Sequence, residues 1–381
     1  MANNNNTKNL NVPTLRFPEF KGEWAYKKLG DLCSEFKSGK NIKSAEILED
    51  GIFPVFGGNG LRGFTHKYNY NGEYVIVGRQ GALCGNIRLV EGKCYMTEHA
   101  IVIQGSEDNN TKFLLYLLDK LNLGQYSDQS AQPGLAVNKL QKIKVTIPNL
   151  SEQNKIASFL FLLDQRIKTQ SKIIEDLKLL KNELLKKVFF QELRLPEFNE
   201  NWKIVTLSDV GTFFSGGTPS TSIGQYYNGN IPFIKSGEIN ADNTEQFISE
   251  EGLRNSSAKM VEIGDLIYAL YGATSGEVGI SKIKGAINQA VLCIRTNLNS
   301  IFLLNFLMFK KEEILRTYLQ GGQGNLSAEI IKSLKIPVPV HAEQTKLSHL
   351  FSAFDKKIEL ETNVMTKFKQ QKQYLLANLF I

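Results

Sequence analysis

The chain contains a long internal repeat, and this feature constrains its fold more than any other. Residues 15–39 and 193–217 align without a gap at an offset of 178, and ten of the 25 positions are identical. The identical residues are Leu15, Arg16, Pro18, Glu19, Phe20, Trp24, Leu29, Asp31, Phe36 and Gly39, matched by Leu193, Arg194, Pro196, Glu197, Phe198, Trp202, Leu207, Asp209, Phe214 and Gly217. Residues 140–189 and 331–380 align at an offset of 191. A unit of about 180 residues is far longer than a solenoid repeat, so we predict two similar domains related by a pseudo-twofold axis.

Composition limits the setting in which the chain works. It has 381 residues and a net charge of +7, which permits nucleic-acid binding without requiring it. The polar residues 1–12 lack the apolar core of a signal peptide, and no apolar run is long enough to span a membrane. We therefore expect a cytoplasmic protein without membrane association. The cysteines show no CxxC spacing, which predicts reduced thiols and no metal site; they are Cys33, Cys84, Cys94 and Cys293.

Residues 151–190 carry a heptad pattern of apolar residues that returns 191 residues later. The positions are Ile156, Leu160, Leu163, Ile167, Ile174, Leu177, Leu184 and Val188, then Leu347, Phe351, Phe354, Ile358, Met365, Phe368, Leu375 and Leu379. Two polar positions also coincide, Gln170 with Glu361 and Lys181 with Lys372. The matched register predicts two helices of about 40 residues that pair as an antiparallel coiled coil. The alternative is two amphipathic helices that lie on separate globular cores.

Further apolar residues lie on these helices outside the strict heptad register. They are Phe159, Phe161, Leu162, Ile173, Leu180, Leu185, Phe189 and Phe190. Such an excess is typical of a docking surface for another protein. Contact with the globular domains of the same chain explains any single residue equally well.

The segments between the helices alternate short apolar runs with glycine-containing turns. Predicted strands include 53–56, 74–77, 100–103, 231–234, 266–268 and 291–294, and predicted helices are 112–121 and 301–318. This pattern favours α+β domains with mainly antiparallel sheets. The predicted organisation is a polar tail (1–12), a first domain (13–149), a first long helix (150–191), a second domain (192–340) and a second long helix (341–381).

Loops at the predicted strand ends resemble each other in the two domains. Residues 81–85 match 272–276, residues 97–100 resemble 287–290, and Gln132 and Leu135 match Gln323 and Leu326. Glycine-flanked loops that carry His, Gln, Arg, Thr and Tyr suit contact with base edges and phosphates. A purely structural role is the alternative for each residue.

Motifs for catalysis are absent from the sequence. Gly58-x-Gly60-x-x-Gly63 matches a dinucleotide fingerprint, but the residues after it do not begin an amphipathic helix. The sequence has no HExxH, no GxSxG, no His/Cys cluster and no Asn-Pro-Pro-aromatic tetrapeptide. These absences favour a protein that binds rather than catalyses.

Several paired strings together resemble one known family. They are LR(F/L)PEF…W before each domain, Ile147-Pro148-x₃-Glu152-Gln153 and Val338-Pro339-x₃-Glu343-Gln344 before each helix, and 231–233, 249–253, 271–274 and 288–290 in the second domain. Over residues 13–381 the chain resembles the DNA-specificity subunit of type I restriction–modification systems. The first domain departs from the commoner pattern, with residues 57–60 and 79–81 where the second domain has 235–237 and 270–272.

The resemblance implies a function and a set of partners. Each globular domain would be a target-recognition domain that reads one half of a split site in double-stranded DNA, and the helices would set the separation of the half-sites. The helices would also dock two methyltransferase (M) subunits, and restriction/translocase (R) subunits would join them. S-adenosylmethionine, ATP and Mg would belong to those partners, so that this chain would carry neither a cofactor nor a catalytic residue.

Candidate site residues follow from the loops and the heptads. The DNA-contact candidates are Asn59, Arg62, Arg79, Gln80, His99, Lys235, Ser236, Tyr271, Thr274, Ser275 and Gln289. The candidates for the coiled coil and for partner binding are Ile156, Leu160, Leu163, Ile167, Ile174, Leu177, Leu347, Phe351, Phe354, Ile358, Met365 and Phe368. Two other interpretations remain open at this point: a two-headed DNA or RNA adaptor without a restriction role, and a stand-alone nuclease or methyltransferase.

Overall fold

The chain forms two compact units that do not follow it in simple order. The computed structural model describes residues 11–81, 83–127, 134–318 and 325–381. The first unit contains residues up to 171 together with 363–381, and the second contains residues 172–362. Each unit combines a globular α+β domain with segments of both long helices, and the α+β fold class is confirmed.

The first domain contains the three strands and the helix predicted for it, each to within about four residues, together with further elements. Its strands are Ala25–Lys28 (β1), Cys33–Ser38 (β2), Phe53–Gly57 (β3), Gly60–Thr65 (β4), Tyr70–Gly78 (β5), Ile87–Met96 (β6), Ala100–Gly105 (β7) and Lys144–Ile147 (β8). Its helices are Thr111–Leu121 (α1) and Val137–Gln141 (α2), and the long helix Leu150–Phe189 (α3) follows. Helix α1 begins where the Asn110 side chain accepts a hydrogen bond from the Phe113 N–H at 2.8 Å.

The second domain repeats the scheme with shorter strands. They are Lys203–Thr206 (β9), Gly211–Ser215 (β10), Ile231–Ile234 (β11), Phe247–Ile248 (β12), Lys259–Val261 (β13), Leu266–Ala269 (β14), Val278–Ile280 (β15), Gly285–Ile287 (β16), Val291–Thr296 (β17) and Lys335–Val338 (β18). Its helices are Glu250–Arg254 (α4), Ser300–Tyr318 (α5) and Ala328–Lys332 (α6), and the long helix His341–Asn378 (α7) follows.

The two domains differ in their main sheets: the first domain has one large sheet and the second has two smaller ones. The first has one six-stranded sheet in the order β2-β7-β5-β6-β3-β4, in which only β3 and β6 are parallel. The second has two four-stranded sheets, β10-β17-β14-β15 and β12-β11-β16-β13. Strand β6 corresponds at the 191-residue offset to β15 and β16, and β5 corresponds to β13 and β14. The long hairpin of the first domain is therefore broken in two in the second.

A β-bulge makes the ungapped alignment of the first repeat wrong by one residue after residue 33. Cys33 lies opposite Gly105 as Gly211 lies opposite Thr296, so the offset of 178 holds there. Strand β2 is then irregular between residues 33 and 35. Beyond the bulge Ser38 lies opposite Ile101, whereas Ser215 lies opposite Leu292, which is an offset of 177. The structural counterpart of Phe36 is thus Phe213, because the bulge adds one residue to β2.

The LR(F/L)PEF…W string and the Glu-Gln pair that begins the long helix contact each other in each domain. The guanidinium of Arg16 donates to both carboxylate oxygens of Glu152, at 2.8 and 2.7 Å, and Trp24 Nε1 donates to the same carboxylate at 3.3 Å. Glu152 is 1% exposed. The Gln153 side chain accepts from the Asn110 N–H at 3.0 Å, which ties α1 to α3. We call these contacts the first junction.

The second unit contains the counterpart, the second junction. Arg194 and Trp202 donate to Glu343 at 3.0 and 3.1 Å, and Gln344 accepts from the Asn299 N–H at 2.9 Å. Here the Arg194 bond involves only one carboxylate oxygen, since Glu343 Oε1 and Arg194 Nε are buried without a hydrogen-bond partner. The repeated strings therefore have a structural role in both domains.

The heptad residues lie inside the two units. Ile156, Leu160 and Leu163 lie in the core of the first unit, and Leu347 and Phe351 lie in that of the second. None of the remaining seven candidates for the coiled coil and partner binding is exposed; these are Ile167, Ile174, Leu177, Phe354, Ile358, Met365 and Phe368. A substitution such as Leu163→Asp therefore disturbs the core of the first unit as well as any docking face.

One ion pair between the long helices occurs in each unit. In the first unit Lys372 lies 2.8 Å from Asp164, and in the second Lys181 lies 2.6 Å from Asp355. These are counterparts at the 191-residue offset, and they explain the polar heptad positions Lys181 and Lys372. In the second unit the ring centroids of Phe189 and Phe351 are 6.2 Å apart. From the Lys181–Asp355 contact to the Phe189–Phe351 contact, the residue number rises along α3 and falls along α7. The two helices are therefore antiparallel in that unit.

Candidate nucleic-acid interface

Three strands of the first domain end at the same edge of its sheet. Strands β3 and β6 are parallel, and the Thr97 N–H after β6 donates to the Phe56 carbonyl at 2.8 Å. The Arg79 N–H after β5 donates to the His99 carbonyl at 3.0 Å. The three loops that leave these strands therefore meet. We call residues 57–62, 79–81 and 97–99 the first edge.

Four of the five DNA-contact candidates of this domain line one depression at the first edge. The depression has a volume of about 470 Å³, and its lining residues are Gly58, Asn59, Arg62, Gln80, Gly81 and His99. The fifth candidate, Arg79, is not among them. Arg79 is half-buried, and its carbonyl accepts from the Leu135 N–H at 2.9 Å. Four residues selected from separate loops thus lie together, and their role in DNA contact remains a prediction.

The side chains around this depression offer several hydrogen-bonding groups to a ligand. His99 Nδ1 lies 3.3 Å from Gln80 Oε1, and His99 Nε2 lies 3.2 Å from Glu98 Oε1. The Arg62 side chain crosses Gly57 so closely that a Cβ there would come within 2.7 Å of Arg62 Cδ. No described residue forms a hydrogen bond or ion pair with the Arg62 guanidinium or the Asn59 amide. These groups are the donors and acceptors that base edges and phosphates require.

The second domain forms the same edge from the corresponding strands. Strands β11 and β16 are parallel, and the Asn288 N–H donates to the Ile234 carbonyl at 3.2 Å. The Leu270 N–H after β14 donates to the Ala290 carbonyl at 2.8 Å. These bonds are the counterparts of those in the first domain. We call residues 235–238, 270–275 and 288–290 the second edge.

All six DNA-contact candidates of the second domain lie on the second edge. Ser236 Oγ lies 3.7 Å from where a Cβ on Gly272 would stand, so two of the loops are in contact. Lys235 and Gln289 are exposed, whereas Ser236, Tyr271, Thr274 and Ser275 are half-buried. Gln289 accepts a hydrogen bond from the hydroxyl of Thr218, which belongs to none of the predicted loops. Burial raises the pKa of Tyr271, so this phenol stays protonated and can donate.

Ser275 has a structural contact that its counterpart reproduces. Its hydroxyl donates to the Leu270 carbonyl at 3.0 Å, and the Cys84 thiol donates to the Arg79 carbonyl at 3.3 Å. Gly272 and Gly276 on either side have φ of +91° and +84°, like Gly81 and Gly85 at +82° and +88°. The glycine loop is therefore the same turn in both domains. The Ser275 hydroxyl closes this turn.

The resemblance of residues 97–100 to 287–290 is shifted by one position. Thr97 and Asn288 are counterparts, since each N–H donates to the end of the neighbouring parallel strand. His99 therefore corresponds to Ala290, and Gln289 corresponds to Glu98. The identity at Ala100 and Ala290 favoured the wrong register. Gln132 and Gln323, also compared above, lie outside the described residues.

The long helices carry exposed apolar side chains outside the heptad positions. In the first unit Phe159 and Leu162 are 39% and 64% exposed. In the second unit Leu179 and Leu180 are 61% and 56% exposed. Leu185 and Phe189, from the same predicted group, are instead buried in the core of the second unit. Part of the apolar excess on these helices is thus buried in the core of the chain's own second unit.

The described residues hold few features of a catalytic or metal centre. Among them there is no group of three or more His, Cys, Asp and Glu side chains that could hold a metal ion. The cysteines are free, and burial raises the pKa of Cys33 and Cys293 to about 12 and that of Cys94 to about 11. In this part of the chain no helix is long and apolar enough to cross a membrane.

Comparison with known proteins gives a consistent set of matches. Residues 21–179 and 199–370 match the family described as type I restriction modification DNA specificity domain. The chain is 40% identical to the type I restriction enzyme EcoprrI specificity subunit of Escherichia coli, over 39% of this chain and 38% of that protein. It is 23% identical to the MjaVIII specificity subunit of Methanocaldococcus jannaschii, over 95% and 92%.

A solved structure is similar over nearly the whole chain. The crystal structure of a type I restriction–modification S subunit from M. genitalium aligns with a TM-score of 0.69 and 18% identity. The alignment covers 97% of this chain and 99% of that chain. At this identity the likeness is one of fold.

Proposed function

This chain belongs to the family of type I restriction–modification DNA specificity subunits, and from that premise we propose that its two domains read the two halves of a split DNA target. It is a DNA-recognition subunit and not a catalytic one. One observation carries the proposal: the same three strand ends form an edge in each domain, and the side chains at the two edges differ. A common scaffold with two different sets of polar groups suits two different half-sites.

The chemistry of the two edges supports distinct base readout. At the first edge, Arg62 and the amides of Asn59 and Gln80 match the major-groove contacts with guanine O6/N7 and adenine N6/N7. His99 Nδ1 lies 3.3 Å from the oxygen of the Gln80 amide and can orient it. At the second edge the corresponding groups are an ammonium, a phenol, two hydroxyls and an amide, on Lys235, Tyr271, Thr274, Ser236 and Gln289. Each well-made bidentate pair contributes about 1–3 kcal/mol of discrimination.

The long helices supply the second part of the proposal. We infer that α3 and α7 set the separation of the half-sites and dock two methyltransferase subunits. The exposed apolar side chains on each unit, such as Leu162 and Leu179, supply apolar area for that docking. The methyltransferases would bind S-adenosylmethionine and turn the target base out of the duplex. Restriction/translocase subunits would add ATP- and Mg-dependent steps, so that all cofactors belong to partners.

Mapping of modified bases tests the proposal in the source genome. Long-read sequencing with and without this gene is expected to show the loss of one split, asymmetric methylated motif on deletion. That motif would give both half-sites. An unchanged map, together with failure of the chain to co-purify with a methyltransferase, would contradict the proposal and favour an adaptor without a methylation role.

A further inference from the structure

A group of lysines lies on the small two-stranded sheet of the first unit. Lys27 and Lys28 on β1 and Lys144 on β8 are all exposed. Together with Tyr26 and Asp31 they line a depression of about 510 Å³. The charged groups of the lining are therefore three ammonium groups and one carboxylate. We call these three lysines the β1/β8 lysine cluster.

Two members of the cluster face each other across the sheet. Lys28 lies directly opposite Lys144 in the antiparallel register. Directly opposed residues have Cβ atoms about 4.5–5.5 Å apart, and like charges in such pairs are destabilising. No described acidic residue forms an ion pair with Lys27, Lys28 or Lys144. Within the described part of the chain, the repulsion is therefore not offset by an ion pair.

The counterpart sheet of the second unit has no such arrangement. There Thr206 on β9 lies opposite Lys335 on β18, which replaces the pair of lysines by a single charge. Ile204 stands in the place of Tyr26, and Val205 in that of Lys27. Because the same small sheet forms without the lysine pair, the fold does not require it. The cluster is a property of the first domain that needs another explanation.

We infer that the β1/β8 lysine cluster binds phosphate groups of the DNA backbone, outside the bases read at the first edge. This inference rests on the proposed function. Ammonium groups are common donors to phosphate oxygens, and such contacts position a protein without reading sequence. The neighbouring Tyr26 hydroxyl donates to Asn11 Oδ1 at 2.8 Å, so the lysines supply the donors. A phosphate between Lys28 and Lys144 removes the repulsion of the opposed pair.

The salt dependence of DNA affinity tests this inference. The full chain, co-purified with its methyltransferase subunits, is titrated with a duplex that carries the mapped motif and with a scrambled duplex. For Lys28→Gln/Lys144→Gln the slope of log K against log salt should fall by about 0.9, since the two lysines share one phosphate and each neutralised phosphate contributes about 0.9. Affinity at moderate salt should fall roughly tenfold on both duplexes. The methylated motif should stay unchanged.

A matched control is available on the counterpart sheet. Lys203→Gln/Lys335→Gln also removes two exposed lysines, which do not face each other, and should leave the slope unchanged. An equal fall in both variants would mean a net-charge effect and overturn the site. Loss of methyltransferase co-purification with an unchanged slope would assign the cluster to an acidic protein surface instead. If the unsubstituted complex binds neither duplex, the proposed function itself fails.

Discussion

The two domains are alike at the junctions with the long helices and unlike at the edges where their strands end. At each junction an arginine and a tryptophan donate to one buried glutamate, Glu152 or Glu343. At the edges the backbone bonds recur, but the side chains at corresponding positions differ, as with Gln80 and Tyr271. The buried polar contacts therefore define the common scaffold, whereas the side chains at the edges differ between the two domains.

Some glycines with positive φ lie where the two domains differ, and others lie in a turn that both domains share. Gly72 lies opposite Gly92 in the middle of the unbroken β5–β6 hairpin, and both have positive φ. The second domain is broken at this place, where Gly264 has a φ of +96° in the turn between β13 and β14. The glycines of residues 81–85 and 272–276 instead keep one turn in both domains. The edges thus share a turn although the sheets behind them differ.

The largest expected effect contrasts the two junctions. Glu152→Ala should lower the free energy of unfolding of the first unit by about 3–5 kcal/mol, because it leaves buried donors unpaired. Glu343→Ala should lower that of the second unit by about 2 kcal/mol, since Arg194 makes one hydrogen bond there and Arg16 makes two. Hydrogen exchange measured by mass spectrometry on each unit gives both values. The exposed Glu200→Ala is the control, and equal losses at the two junctions would break the contrast.

Glycine substitutions in the shared turn should rank by the space around them. A Cβ on Gly85 would overlap the backbone of Gly124, one on Gly276 would come within 3.0 Å of Leu315 Cδ2, and one on Gly81 would meet open space. Alanine at each should therefore cost about 3, 2 and 1 kcal/mol, respectively, since all three also have positive φ. Thermal unfolding of the three variants tests the order. A cost at Gly81 equal to that at Gly85 would contradict the role of close packing.

The helix ion pairs should differ between the units in size and in pH dependence. Burial raises the pKa of Asp119, and Lys372 at 3.8 Å opposes that shift. A raised pKa means that stability falls as pH rises through the folded value. Lys372→Ala should therefore cost about 2 kcal/mol at pH 7 and less at acidic pH, because protonation removes the charge of Asp119. Lys181→Ala should cost about 1 kcal/mol, because its partner Asp355 is 51% exposed to solvent.

Urea unfolding at the two pH values provides the measurement for the ion pairs. The exposed Lys178→Ala serves as the control for loss of a helical lysine. A pH-independent loss in the Lys372 variant would remove Asp119 from the explanation.

The smallest expected effect comes from a substitution that gives the glycine loop of the first domain the serine of the second. Cys84→Ser should change stability by less than about 0.5 kcal/mol, because Ser275 already makes the same contact with the backbone carbonyl. Ser275→Ala should cost about 1 kcal/mol, the value of one hydrogen bond. Differential scanning fluorimetry of both variants is sufficient. A large loss in Cys84→Ser would show that the turns are not equivalent.

The sequence predicted those parts of the fold that repeat or have a clear period. The heptads placed α3 within one residue at either end, and strand 231–234 was predicted with its observed bounds. The bulge after Cys33 could not be found, because Phe213-Phe214 and Gly216-Gly217 allow either register. The break of the β5–β6 hairpin was missed because short apolar runs do not reveal which partners they pair with. Register across strands depends on tertiary contacts.

At the candidate site, the residues that lie together come from loops in which glycines mark strand ends. Asn59, Arg62, Gln80 and His99 were selected from separate loops, and they line one depression. Thr218 was missed, since it lies far along the chain from Gln289 and forms no motif with it. Ser275 and the junction glutamates are the opposite case. They are polar residues in distinctive sequence motifs, and their contacts stabilise the scaffold.

The most direct test compares one variant at each edge by genome-wide mapping of modified bases. Gln80→Ala/His99→Ala alters the first edge, and Lys235→Ala/Tyr271→Ala alters the second. Each variant should change or relax one half of the methylated motif and leave the other half intact, and the two variants should affect opposite halves. Changes to the same half by both variants, or an unchanged motif in both, would contradict the assignment of one half-site to each domain.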